Sequence, residues 1–126
     1  MITGKVNPAM EATIPVQVIG AQGQSLDVTV VIDTGYNGGL SLPMAIVDAL
    51  SLPQAASREV TLGDASRKVF AFYNAAVLWD GQRRKVRVLC VEGDPLLGTA
   101  LLRGYKLAAC RRKAGFGQIY VKLSYF

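Results

Sequence analysis

A mostly β single domain with one or two short helices is the fold class this chain predicts, and three observations carry it. Leu26-Asp27-Val28-Thr29-Val30 alternates apolar with polar, the period of a half-buried strand, so Leu26, Val28, Val30 and Ile32 share one face. Asp80-Gly81 stands between two strand-like runs and is a strong signal for a two-residue hairpin. Helical windows are few and short, and proline or glycine bounds each.

In chain order, Thr13 to Ile19 is β-rich and Gly20 to Gln24 is a turn, so these residues and the Leu26 strand make a hairpin that ends at Asp33. Pro43 suits a first helical turn and Pro53 forbids continuation, which predicts a short helix from Pro43 to Leu50. Arg58 to Leu62 and Val69 to Trp79 read as strands around the turn Gly63-Asp64-Ala65-Ser66, and Lys85 to Val91 is the strand returning from Asp80-Gly81. Thr99 as N-cap and Gly104 as terminator predict one or two helical turns. Tyr105 to Cys110 returns to β, and Ile119, Val121, Leu123 and Tyr125 form the apolar face of a strand running to the chain end.

With 51% apolar and 18% charged residues, the 126-residue chain has a globular balance rather than a disordered one. No linker or repeat divides it, so residues 1–126 read as a single domain. Charge or glycine interrupts every apolar run, which argues against a membrane span, and Met1-Ile2-Thr3-Gly4-Lys5 lacks a signal-peptide core, so the expectation is cytoplasmic. Cys90 and Cys110 sit in apolar strand-like runs and read as buried free thiols. The chain has no histidine, which removes Ser-His and Cys-His catalysis and His-ligated zinc and leaves carboxylates as the natural acid–base groups. No metal or other cofactor is called for.

The net charge of +5 concentrates in Arg83-Arg84-Lys85-Val86-Arg87 and Arg111-Arg112-Lys113. The segment Arg67-Lys68-Val69-Phe70-Ala71-Phe72-Tyr73 interleaves bases with aromatics, as single-strand nucleic-acid binding needs, but the same alternation suits a half-buried strand. Solvated strand edges are the preferred reading, and nucleic acid is the disfavoured partner.

The chain is organised around Val30-Val31-Ile32-Asp33-Thr34-Gly35, in which a β-branched run drives straight into an acid. A carboxylate at the end of a buried strand is costly to ionise unless donors surround it. Thr34 offers a hydroxyl, and Gly35 lets backbone amides approach.

A hairpin into Asp33-Thr34-Gly35, Asn37-Gly38-Gly39 and Leu42-Pro43 after it, a flap-like hairpin, Leu96-Leu97-Gly98, a short helix and a terminal strand together resemble the retropepsin-like aspartic proteases. The small single-domain prokaryotic members are the nearest likeness, and it spans nearly the whole chain. The resemblance implies a single-lobe closed β-barrel. It also implies an aspartic endopeptidase with Asp33 as catalytic residue and Thr34 and Gly35 as its support. Leu96, Leu97 and Gly98 match the second motif, which packs against the first; ordinary core and a turn is the plainer account of them. Gly63, Asp64, Ala65 and Ser66 match the flap tip, without its glycine richness. Tyr36 stands where retroviral enzymes carry something small, implying a narrower pocket floor or a ring turned out of the cleft. The aspartate motif occurs once, so the resemblance implies a homodimer that takes a peptide or protein substrate, with its terminal strands woven into a shared sheet. Two other readings stay open: a catalytically weak dimerisation or peptide-binding module, and a basic β-barrel that binds nucleic acid.

Overall fold

Hairpin signals and alternating β-branched runs dominate the chain, and the fold follows them. In a computed structural model that describes residues 1–61, 63–110 and 120–125, the strands are β1 (Ile2–Val6), β2 (Ala12–Ile19), β3 (Ser25–Ile32), β4 (Leu40–Leu42), β5 (Gln54–Thr61), β6 (Arg67–Trp79), β7 (Gln82–Cys90), β8 (Leu96–Leu97), β9 (Tyr105–Cys110) and β10 (Tyr120–Tyr125). The helices α1 (Met44–Ala49) and α2 (Thr99–Leu102) are both short. No helix among the described residues is long and apolar enough to cross a membrane.

The hairpins form where the turn chemistry puts them. Asp80 and Gly81 both have positive φ, 51° and 82°, the geometry whose twist matches two right-handed strands, and β6 pairs β7 on either side from Ala71↔Cys90 to Trp79↔Gln82. β2 pairs β3 from Thr13↔Val31 to Ile19↔Ser25 around the Gly20 turn. Val28, Val30 and Ile32 are buried as the alternation requires, while Leu26, beside that turn, is 41% exposed.

The helix α1 begins one residue later than expected, with Pro43 extended at its N-cap. It ends on Ser51 at φ 48°, where Ser51 N–H donates to Asp48 O (3.0 Å) and Leu52 N–H to Val47 O (3.1 Å). Those bonds close a Schellman motif, and its two apolar residues, Val47 and Leu52, are buried. At α2 the N-cap is Gly98, and Thr99 is the first helical residue.

The strand order is β5-β6-β7-β4-β8-β3-β2-β1-β10-β9, with an additional β2–β6 pairing of Gln17 to Ile19 against Leu78 to Ala76. Ile14, Val30, Leu40, Leu97 and Val121 lie fully buried in one core. The mostly β fold is as expected; the sheet returns on itself through β6, β7, β4, β8, β3 and β2, but closure of the expected barrel rests on the three residue pairs between β2 and β6, and β5 and β9 remain at the two ends of the strand order.

Three strands, β1, β4 and β8, escaped the sequence reading. Leu40-Ser41-Leu42 has all three residues buried and no alternation to betray it. The cysteines are free but partly exposed rather than buried. The terminal strand differs in its use: β10 pairs β1 on one side and β9 on the other, and Val121 and Leu123 are fully buried within their own chain, while Tyr125 is 71% exposed. Leu62, Arg111-Arg112-Lys113, Ile119 and Phe126 lie outside the described residues.

Candidate active site

The β2–β3 hairpin delivers Asp33 one residue past the end of β3, and the neighbouring backbone holds it there. Leu96-Leu97 runs parallel to β3, pairing Val31↔Leu96 and Ile32↔Leu97, and antiparallel to β4 on its other side. Val31 N–H donates to Pro95 O and Asp33 N–H to Leu97 O, both at 2.9 Å, so the backbone of the second motif fixes the residue. Gly35 N–H donates to Asp33 Oδ1 at 2.9 Å, and Tyr36 N–H to Asp33 O at 3.1 Å, which curls the Asp33–Tyr36 segment back under the carboxylate. Asp33 is half-buried, whereas Thr34 and Gly35 are exposed.

The loop that follows is locked onto the start of α2. Gly98 N–H donates to Gly39 O (2.8 Å), Thr99 N–H to Tyr36 O (2.8 Å) and Ala100 N–H to Gly38 O (3.2 Å). Only glycine allows this approach at position 98, since a Cβ there would collide with Gly38 O and come within 2.7 Å of Tyr36 O and Cδ2. The Tyr36 ring lies beneath the loop, its hydroxyl donating to Leu40 O at 3.3 Å, and burial pushes that phenol above its ordinary value. Tyr36 is not among the residues that line the cavity at Asp33.

Asp33 opens onto a cavity of about 340 Å3, which Thr34, Ile32 and Leu96 line on one side and Met10, Glu11 and Ala12 on the other. Glu11 precedes β2 by one residue and lines the same cavity as Asp33. Asn7 clamps it, with its side-chain amide donating to Glu11 Oε1 (3.1 Å) and its Oδ1 accepting from Glu11 N–H (2.9 Å). Sequence reasoning missed Glu11. No motif in the sequence singles it out; the fold brings it to the cavity from the segment just before β2.

The expected flap tip, Gly63 to Ser66, caps the β5–β6 hairpin and shares no cavity with Asp33. Ala65 takes φ 65°, and Asp64 Oδ1 accepts from both Ser66 N–H (2.9 Å) and the Ser66 hydroxyl, which holds the Asp64 carboxyl below its usual range. Among the described residues no group of three or more His, Cys, Asp or Glu is placed to hold a metal ion.

No family model and no curated protein sequence matches the chain. Among solved structures it is similar to the protease of EIAV complexed with the inhibitor HBY-793, at 19% identity and a TM-score of 0.56, over 77% of this chain and 89% of that one. That likeness shows the fold: a mostly β chain similar in fold to a retroviral protease.

Proposed function

We propose that the protein is a homodimeric aspartic endopeptidase acting on extended, largely apolar peptide segments, with Asp33 of each subunit as its catalytic residue. The observation that supports this most is the setting of Asp33. It is a half-buried carboxylate at the mouth of a cavity, oriented by the Gly35 amide and by the backbone of Leu97. The retroviral-protease fold is consistent with peptide-bond chemistry at this place.

The chemistry follows from charge. Two carboxylates brought within hydrogen-bonding reach share one proton, because both cannot ionise cheaply at one site. The ionised Asp33 takes a proton from a bound water, which attacks the scissile carbonyl. The protonated Asp33 donates to the carbonyl oxygen, and the roles reverse as the amine leaves. Gly35 keeps its amide on the carboxylate throughout, and Thr34, exposed beside it, is the natural contact across the two-fold axis. One observation favours a second reading, a catalytically weak peptide-binding or dimerisation module: the hairpin tip at Gly63 to Ser66 does not reach the Asp33 cavity.

Mixing chains decides between one-chain and two-chain chemistry. Asp33→Asn keeps the shape and removes the ionisation, so a mixed dimer has no working site. When subunits re-equilibrate at random, activity on a peptide library falls as the square of the normal fraction. A linear fall, with exchange confirmed by mass spectrometry, overturns the two-chain site, and no cleavage by the parent protein overturns the peptidase.

A further inference from the structure

A second cavity, of about 480 Å3, shares no lining residue with the Asp33 cavity. Arg83, Lys85 and Arg87 of β7 line it together with Asn74 and Ala76 of β6. Those three cations alternate along β7, so they project from one face, about 6.8 Å apart. The β6–β7 register puts that face opposite Leu78, Ala76 and Asn74.

The same face runs on into the β5–β6 hairpin. Counting back from Asn74 in twos along β6 gives Phe72, Phe70 and Lys68, and β5 adds Arg58 opposite Phe70. Ring contacts bear out the shared face: the Arg58 guanidinium lies 5.8 Å from the Phe72 centroid and the Lys68 ammonium 5.4 Å from that of Phe70. Lys68 to Leu78 spans about 34 Å of continuous strand. The five cations on this stripe are all exposed, and neither ion pair among the described residues involves them. Nearby carboxylates are engaged elsewhere. Glu59 pairs Arg67 on the opposite face, and Asp80 holds the terminal ammonium of Met1.

We propose that this outer face of β6 and β7 binds single-stranded nucleic acid. The cations set along it would track a phosphate backbone, and the partly exposed Phe70 and Phe72 rings, each with a cation over it, are stacking platforms for bases. The cavity beside Ala76 gives room where β7 turns its long basic side chains outward. An acidic peptide would use the cations and leave the aromatic pair without a role, so nucleic acid accounts for more of the face. The sequence disfavoured this partner because the alternation from Arg67 to Tyr73 equally suits a half-buried strand; the fold sets the even-numbered residues of that strand on one face with Arg83, Lys85 and Arg87.

The test is fluorescence anisotropy of a labelled oligothymidylate of about twelve nucleotides with the whole protein across a salt series. Binding should weaken with salt. Replacing Arg83, Lys85 and Arg87 together with serine should make the log–log slope shallower by about 2, at roughly 0.7 per phosphate contact on a single strand. Phe70→Leu with Phe72→Leu should cost roughly tenfold or more in affinity with the slope unchanged. Lys5→Ser on β1 should leave both quantities alone, and circular dichroism checks that each variant is folded. Absence of binding at low salt overturns the proposal, as does an equal loss from Lys5→Ser. So does a polyglutamate competitor that binds as tightly as the oligonucleotide while the phenylalanine variant behaves as the parent; that result assigns the face to acidic peptides.

Discussion

Gly98→Ala tests the scaffold under Asp33 without touching the carboxylate. The new Cβ would meet Gly38 O, Tyr36 O and Tyr36 Cδ2, and two of those three atoms are backbone, so no rotamer change relieves the clash. Overpacking of this kind costs about 1–3 kcal/mol. Relief by separation opens the bonds from Gly98 N–H to Gly39 O and from Ala100 N–H to Gly38 O, at about 1 kcal/mol each. Together these come to about 3–5 kcal/mol, a large share of the roughly 5–15 kcal/mol that holds such a domain together. Urea unfolding followed by tryptophan fluorescence measures it, since the one tryptophan, Trp79, is in the core. Gly63→Ala is the control, because a Cβ there meets nothing within 4 Å, and its effect should stay within about 0.5 kcal/mol. If the two variants unfold at the same urea concentration as the parent, the second motif does not brace the Asp33 loop as described.

Two further predictions concern strain and pH. Ser51 sits at φ 48° where a Schellman motif prefers glycine, so Ser51→Gly should raise stability by about 0.5–1 kcal/mol in the same urea assay. Tyr105 stacks on Tyr125 with centroids 5.1 Å apart and meets Trp79 edge-on at 5.7 Å; burial first, then the hydrogen bond with Tyr125, pushes its phenol up to about 12 from 10.0. The folded chain therefore keeps a proton that the unfolded chain loses. Its contribution is complete below pH 10 and disappears as pH rises through about 12, so urea midpoints should fall across that window and fall less in Tyr105→Phe.

How much of this was legible in the sequence depends on the length of the pattern each element leaves. The hairpins were legible, since Asp80-Gly81 demands positive φ and β3 alternates over most of its eight residues. β4 and β8, three and two residues long, carry no period, and they exist because β3 and β7 offer them partners. Thr99 has the side chain of an N-cap, yet Gly98 takes the position because only glycine fits against Gly38 and Tyr36. Of the candidate site, Asp33 and its Gly35 donor were readable from adjacent residues. Glu11 was not, since only the folded chain brings it to the same cavity as Asp33.

The terminal strand bears on how the proposed two-chain site could be assembled and tested. Woven termini require a strand with an open edge and an apolar face awaiting a partner. In β10 the edges are occupied by β1 and β9, and Val121 and Leu123 face their own core, which leaves Tyr125 exposed. Removing it strips two fully buried side chains and leaves β1 and β9 unpaired on that side, so the truncated chain loses its fold whether or not it dimerises. Loss of a dimer in such a variant would say nothing about where the interface lies. The surface available beside the carboxylate is instead the exposed Thr34, Gly35 and Asn37, and among the described strands β9, beyond β10, ends the strand order with an open edge. Mixing with Asp33→Asn leaves both of these intact, which is why the dependence of activity on subunit fraction, rather than truncation, separates a shared site from a self-sufficient one.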